Sequence, residues 1–461
     1  MVQGTASLMR AAHPVALCAL TLLLSTPLAA QQPGPVAAPQ VVAPPAPRPP
    51  VVNRANDVLP PWVRVRGEFR ERMEGFDGLG FNHTRDDLYY LSRLRLNATI
   101  TPARLLSFQV QGQDARVARK TVGPTGTPFR APFDMRMAFA DVGSAQSRVA
   151  VRLGRQELVY GEQRLVGHVG WLNAARTFDA ARVTVRGERL QLEVFGASVV
   201  RILEGEFDRS GAGNRFAGAY ATAPALVPLA SVEPYVFWKR DVNLLTETAS
   251  RGTLSLATLG VRWIGKLPGG LEYNTDTAVQ AGSLGSDEVS AWAGHYTLRS
   301  PAAGSLAFRT SGEFNYASGD SDPADGTRGT FDQLYPTPHD KYGLADQVGW
   351  RNIRHLRAGV ELTPWRGLPL VANYHSWWLN EKRDGLYGGG GALLARVATG
   401  AASAHVGQEL DIQASKALTP QVQVAAGYAH IFTGAFLKEA TPGASYSHPY
   451  VMATYVFLAE R

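Results

Sequence analysis

Polar and apolar side chains alternate along most of the chain, in segments of about ten residues each. In the first segment Arg64, Arg66 and Glu68 share one face, while Val65 and Phe69 take the other. Successive side chains of a β-strand point to opposite sides, so a period of two predicts strands whose two faces meet different surroundings.

The connections between these segments decide which all-β architecture to expect. Eighteen candidate strands begin near residues 62, 88, 105, 133, 147, 176, 188, 215, 232, 253, 270, 288, 304, 352, 367, 405, 420 and 448. Tight junctions, such as Thr101-Pro102 and Thr419-Pro420, alternate with long polar ones at 116–132, 157–175, 200–214, 241–252, 318–351 and 380–404. A soluble sandwich has no reason to sort its loops in this way. The pattern predicts an antiparallel up-and-down transmembrane β-barrel of about 18 strands, with short periplasmic turns and long extracellular loops.

Aromatic residues near the strand ends are expected to form the two interfacial girdles of such a barrel. They are Trp62, Tyr89, Tyr90, Trp238, Trp263, Trp292, Trp377, Trp378 and Tyr450.

The N-terminal part predicts export and a tether. Residues 1–30 have the pattern of a signal peptide, with Arg10, the apolar run 15–24 and a cleavage position after Ala30; a membrane anchor is the alternative. Residues 31–61 hold ten of the 29 prolines and predict a disordered periplasmic linker, either a spacer or a tether to a secretion-scaffold partner. The barrel is expected over 62–461. Cys18 is the single cysteine, so the exported chain has no disulfide, thiolate metal site or cysteine chemistry.

The inward parity of the strands assigns charged side chains to the lumen. The basic set is Arg64, Arg66, Arg70, Arg93, Arg95, Arg152, Arg182, Arg309 and Arg357. The acidic set is Glu68, Glu193, Glu313, Glu361, Glu409 and Asp411. Guanidinium groups hold carboxylates through paired hydrogen bonds, and a series of weak sites lets an anion enter and leave. The alternatives are that these groups pair across strands and fix the barrel's shape, or that basic residues bind lipopolysaccharide.

Two long connections carry further candidates. Arg155, Arg164, Arg176 and Asp179 bracket the 157–175 connection, which is expected either to constrict the lumen or to be anchored there by ion pairs. The 318–351 connection is expected to form an outer lid, with Tyr342 and Trp350 packed on the rim.

Metal and catalytic motifs are weak or missing. Asp320, Asp322 and Asp325 before Gly326 form a weak calcium candidate, because the spacing departs from the EF-hand pattern; a solvated loop tip is the alternative. The sequence has no H-E-x-x-H, G-x-S-x-G or P-loop motif. We therefore expect no enzyme activity and no cofactor.

Three stretches resemble the alginate-export family of outer-membrane barrels. The first begins at Gly154-Arg155-Gln156-Glu157-Leu158 and continues to Phe178-Asp179. The second runs from Tyr316-Ala317-Ser318-Gly319-Asp320 to Asn352-Ile353, and the third begins at Val406-Gly407-Gln408-Glu409. The resemblance covers about residues 60–458. It implies an eighteen-stranded barrel whose electropositive pore exports an anionic exopolysaccharide.

Together these observations predict a channel in the outer membrane of a Gram-negative bacterium that passes an alginate-like polysaccharide or a related acidic solute. The alternatives are an uptake porin for small anions or oligosaccharides, and a structural or adhesive surface barrel. We expect contact with outer-membrane lipid, a monomer, and no nucleic-acid partner.

Overall fold

The computed structural model describes residues 54–227, 229–365 and 367–457. Within these ranges no helix has the length and apolar character needed to span a membrane. Two short helices are present, α1 (Ala55–Val58) and α2 (Ala435–Ala440). The strands are β1 (Val63–Asp77), β2 (Asp86–Ala103), β3 (Leu106–Ala118), β4 (Ala131–Val142), β5 (Val149–Gln156), β6 (Phe178–Arg186), β7 (Gln191–Arg201), β8 (Arg209–Ser210), β9 (Arg215–Val227), β10 (Ala230–Leu245), β11 (Arg251–Lys266), β12 (Glu272–Leu284), β13 (Asp287–Arg299), β14 (Arg309–Ala317), β15 (Thr327–Arg328), β16 (Ile353–Trp365), β17 (Leu368–Leu379), β18 (Gly385–Tyr387), β19 (Leu393–Arg396), β20 (His405–Ala417), β21 (Val422–Thr433) and β22 (Tyr446–Phe457).

Eighteen of these strands form one closed antiparallel barrel. The members are all the strands except β8, β15, β18 and β19, and each pairs with the next member along the chain. The last strand, β22, pairs with β1, where Phe69 lies opposite Tyr455 and Met73 opposite Val451. The predicted fold class and strand number are confirmed. Closure follows from the environment, because lipid offers no partners for the open edge of a sheet.

The two faces of the barrel differ as the alternation predicts. Phe69, Leu96 and Leu259 are exposed on the outside, where they meet acyl chains, while their strand neighbours Arg70 and Arg95 are buried inside. The predicted aromatic girdle is wrong for Tyr89, Trp377 and Tyr450, which are buried in the interior. Of the other predicted members, Trp62, Tyr90, Trp238, Trp263 and Trp292 are exposed, and Trp378 is half-buried.

The two ends of the barrel carry different connections, as predicted. At one end β2–β3, β6–β7 and β20–β21 are joined by only a few residues. At the other end β5 and β6 are joined by residues 157–177, β14 and β16 by 318–352, and β17 and β20 by 380–404. These are called the 157–177, 318–352 and 380–404 loops.

The predicted disordered linker needs one correction. Its last residues are folded: α1 precedes the barrel, and the Asn56 side chain bonds both the backbone N–H and the carbonyl of Val65, each at 2.8 Å. These two bonds attach the segment before the barrel to the first strand. The predicted signal peptide, residues 1–30, and residues 31–53 of the predicted linker lie outside the described residues.

Candidate functional site

The 157–177 and 318–352 loops enter the lumen and join each other there. Val166 and Tyr335 form a parallel β-bridge. The Gly167 N–H donates to the Tyr335 carbonyl and the Tyr335 N–H to the Leu165 carbonyl, each at 2.8 Å. The two loops therefore form one packed unit, which we call the plug.

Arginines of β1 and β2 hold the plug by its backbone. Arg70 donates to the carbonyls of Gly170 and Trp171, both at 3.1 Å, and Arg93 donates to that of Gly170 at 3.1 Å. Arg72 lies over the Trp171 ring, 3.8 Å from its centroid. Arg70 and Arg93 point inward as predicted, but their donors are turned to the plug rather than to open solvent.

Carboxylates of β20 hold the other loop of the plug. Glu409 accepts the Ala345 N–H at 3.0 Å, and Asp411 accepts the Leu344 N–H at 3.1 Å. Both carboxylates are buried beneath the loop, so their predicted place along an open path is wrong. The predicted outer lid is also wrong, because Tyr342 and Trp350 are buried inside the barrel rather than packed on its rim.

Arg176 joins the two loops of the plug and does not face an open path. It donates to the carbonyls of Gly167 at 3.2 Å and Pro336 at 3.0 Å. Burial lowers the pKa of Arg176 to about 10, which still leaves the group charged near neutral pH. Arg176 thus supplies donors to one backbone carbonyl from each loop and links the two loops.

Arg155 and Asp179 were predicted to lie along the pore, and the structure places them on the outward side. They share the parity of Leu153 and Val183, which are exposed on the barrel's outer surface. The Arg155 Nε donates to Asp179 Oδ1 at 2.8 Å. The physical reason is the strand period: Arg152 faces inward, so the residue three positions later faces outward.

Three cavities lie in the lumen on the short-turn side of the plug. The first, about 410 Å³, is lined by Arg104, Arg152, Arg182 and Arg186 with Asp141 as its one carboxylate. Arg182 also lines the second cavity, of about 250 Å³, together with Glu193, Glu233 and Arg262. Arg262 in turn lines the third, of about 750 Å³, which also contains Arg164, Lys341, Arg357, Glu162, Glu313 and Glu361. Neighbouring cavities thus share an arginine, and basic residues line all three.

Four arginines of this lining each face a carboxylate. Arg152 pairs with Asp141 at 2.7 Å and Arg182 with Glu193 at 3.4 Å. Arg262 pairs with Glu233 at 2.8 Å, and Arg357 contacts Glu313. We call Arg152, Arg182, Arg262 and Arg357 the arginine track. A guanidinium has five N–H donors, so one carboxylate partner leaves donors for a second anion.

Arg164 brings the plug into contact with the track. It donates to Glu313 at 3.0 Å and to Glu162 at 3.2 Å. Burial lowers the pKa of Arg164, but Glu313, Tyr342 and Glu162 together outweigh burial, and the net shift is upward. The group therefore stays charged, and the charge of the plug is coupled to that of the wall.

The remaining residues predicted to line the pore lie near the short turns or bond neighbouring strands of the barrel. Arg64 bonds the Pro60 and Val63 carbonyls at 3.1 and 2.8 Å, and Arg66 is exposed. Arg309 lies 3.5 Å from Glu272, and Glu361 pairs with Arg299. Arg95 donates to Gln113 at 2.8 Å, and Glu68 pairs with Arg93 at 2.7 Å.

The calcium candidates do not converge. Among residues 54–227, 229–365 and 367–457 no group of three carboxylate or imidazole side chains is placed to hold a metal. Asp322 pairs with Arg383 at 3.3 Å, and Asp325 accepts the Thr327 N–H at 2.7 Å.

Six basic lining residues were missed by the sequence analysis: Arg104, Arg186, Arg262, Lys266, Arg299 and Lys341. Arg262 had a signal, because it precedes the outward Trp263 and so has inward parity. Lys341 had none, since it lies in the 318–352 loop, where no period applies.

A closed eighteen-strand cylinder, apolar outside and charged inside, defines an outer-membrane channel protein. The sequence matches the alginate export family over residues 62–451, and the chain belongs to that family. No curated protein matches it. Fold and family together indicate a transport channel rather than an enzyme, located in the Gram-negative outer membrane.

Solved structures share this fold at low sequence identity. OpdK of Pseudomonas aeruginosa is 11% identical with a TM-score of 0.60, covering 86% of this chain and 98% of its own. OccK3 (OpdO) of the same organism is 14% identical with a TM-score of 0.57, covering 86% and 95%. OccAB2 of Acinetobacter baumannii is 9% identical with a TM-score of 0.58, covering 86% and 98%.

Proposed function

We propose that the channel passes acidic saccharides, either an alginate-like exopolysaccharide or a related acidic solute, along the arginine track. The observation that carries the proposal is that neighbouring cavities share a guanidinium. Arg182 and Arg262 each line two of the three cavities, so each can bond an anion in either cavity that it lines.

The paired carboxylates set the strength of each site. A solute carboxylate competes with Asp141, Glu193 or Glu233 for the same fork of N–H donors. Competition keeps each site weak, and conduction requires sites that release as readily as they bind. The first cavity has four arginines against one aspartate and attracts anions to that mouth.

Uptake of small acidic solutes is the second candidate. It is favoured by the plug, which packs the outer part of the lumen with buried side chains such as Phe331, Leu344 and Trp350. In this arrangement a monomer or short oligomer fits the remaining cavities better than a polymer does.

Planar-bilayer recordings test the proposal. A salt gradient should give a reversal potential that favours anions, and uronate oligomers of graded length should block the current. A reversal potential that favours cations would contradict the proposal. Block by monomers alone would favour uptake, and block that strengthens with length would favour a polymer path.

Two double variants, one in the arginine track and one in an exposed loop, test whether uronate binds to the track. Arg182→Gln with Glu193→Gln removes one site of the track without changing net charge or leaving a charge unpaired. We expect uronate block to weaken about tenfold, the effect of losing roughly one charge-assisted hydrogen bond. Arg209→Gln with Glu206→Gln removes an exposed loop pair instead and should leave block unchanged.

A further inference from the structure

Two arginines face each other on the outer surface of the barrel, at the same end as the 157–177 loop. Arg215 is the first residue of β9 and lies directly opposite Arg240 of β10. Both have outward parity, because Phe216 and Lys239, their neighbours in the two strands, are buried in the interior. Like charges directly opposite each other in a ladder repel, so this arrangement favours a bound anion.

Neither arginine is paired with a carboxylate in the part of the chain that the structure describes. The Arg215 Nη1 donates to the Asn214 carbonyl and the Arg240 Nη1 to the Gly213 carbonyl, each at 3.1 Å. A guanidinium has five N–H donors, so both groups keep donors for a further acceptor.

The acidic residues near the two arginines are bonded to other groups. Asp179, whose parity is also outward, pairs with Arg155 at 2.8 Å. Asp241 follows Arg240 in β10, so its parity is inward, and it accepts the Asn214 amide at 2.8 Å. The two arginines therefore leave a positive charge on this part of the outer surface.

A groove in the outer wall lies next to the two arginines, on the side of the barrel's middle. One register row across five strands places these residues side by side: Leu153, Ala181, Gly196, Ala217 and Trp238. The three central residues are small, whereas Leu153 and Trp238 are large and exposed, so the row is low at its centre and high at its ends. We call this depression the outer groove. Its volume is about 530 Å³, and Arg215 is one of its lining residues.

The outer groove and the two arginines together match the chemistry of an acidic lipid. Guanidinium groups hold phosphate through paired hydrogen bonds, and an acyl chain in the groove covers apolar surface. The long loops of an outer-membrane barrel are extracellular, so the lipid beside this site belongs to the outer leaflet. In Gram-negative bacteria that lipid is lipopolysaccharide, whose lipid A part carries phosphates beside its acyl chains.

We propose that the outer groove and the facing pair Arg215 and Arg240 form a binding site for the lipid A part of lipopolysaccharide. A phosphate lies between the two guanidinium groups and removes their repulsion, and an acyl chain lies along Ala181, Gly196 and Ala217. The site is on the outer wall, so it does not depend on which solute passes through the lumen.

Native mass spectrometry of the whole barrel in detergent, titrated with lipid A, tests the role of the arginines. Arg215→Gln with Arg240→Gln should lower the affinity for lipid A about tenfold or more, since a charge-assisted hydrogen bond is lost. Arg116→Gln with Arg354→Gln removes the same charge from exposed positions of β3 and β16 that do not face each other. This control should change the affinity by less than about twofold.

A second pair of variants tests the role of the outer groove. A Cβ on Gly196 would meet no atom within 4 Å, so Gly196→Leu fills the groove without a clash and should weaken lipid A binding about tenfold. Gly312→Leu is the control, because Gly312 is an exposed glycine of β14 with the same open space. It should bind lipid A as the wild type does.

Several outcomes would overturn the proposal. Equal binding of dephosphorylated lipid A, or unchanged affinity in the double arginine variant, would remove the phosphate contact. Unchanged affinity in Gly196→Leu would remove the acyl chain from the groove. Complete displacement of lipid A by inorganic phosphate would leave a site for an ion rather than for a lipid. If the double arginine variant does not assemble, Arg215→Gln alone gives the same comparison.

Discussion

Glu313 shows what a single buried carboxylate does in this lumen. It accepts Arg164 at 3.0 Å and the Asn315 amide at 2.7 Å, and it contacts Arg357. Arg164 belongs to the plug and Arg357 to the arginine track, so one side chain neutralises charge from both.

Glu313→Gln should destabilise the barrel by about 3–5 kcal/mol, because the amide cannot compensate two buried guanidinium groups. Urea unfolding in detergent or lipid measures the change. Glu206→Gln, which breaks an ion pair between two exposed side chains, is the control and should leave the midpoint unchanged. An unchanged midpoint in Glu313→Gln would mean that water already solvates Arg164 and Arg357.

At the scale of elements, the strands were predictable because the alternation of polar and apolar residues in each strand reflects the different surroundings of its two faces. The candidate starts near 215, 352 and 405 fall within a residue of β9, β16 and β20. The same rule exposes two errors of sequence interpretation. Tyr89 and Tyr90 are neighbours in one strand and cannot both reach the lipid, and Arg155 is three residues from inward-facing Arg152.

The destinations of the loops were not predictable, because their partners are distant in sequence. Arg70 meets Trp171 from 101 positions away, and Arg164 meets Glu313 from 149 positions away. No local pattern specifies such contacts. Inward parity therefore placed these arginines in one set, but it did not separate those that hold the plug from those that line the cavities.

The union of the two plug loops can be tested by cross-linking. Val166 and Tyr335 are bridge partners, within the reach of a disulfide, so Val166→Cys with Tyr335→Cys should oxidise spontaneously. The single native cysteine, Cys18, precedes the barrel, so a reductant-sensitive gel shift reports this bond. Conductance should be equal before and after reduction if the loops move as one body. A rise on reduction would show that conduction requires them to separate.

For the molecule as a whole, the seam between β1 and β22 decides whether the cylinder closes. A Cβ on Gly67 would lie 2.2 Å from the ring of Phe457, its partner across the seam, so the ring covers bare backbone there. Gly67→Leu should displace the ring and cost about 1–3 kcal/mol of stability, as overpacking does. Gly112→Leu is the matched control, because a Cβ there meets no atom within 4 Å.

Folded barrels migrate faster than unfolded chains in cold detergent gels, so the temperature at which the fast-migrating band disappears measures the stability of both variants. This temperature should be lower for Gly67→Leu than for the wild type and unchanged for Gly112→Leu. An equal decrease in both variants would mean that the seam is no more sensitive to overpacking than any other pair of strands.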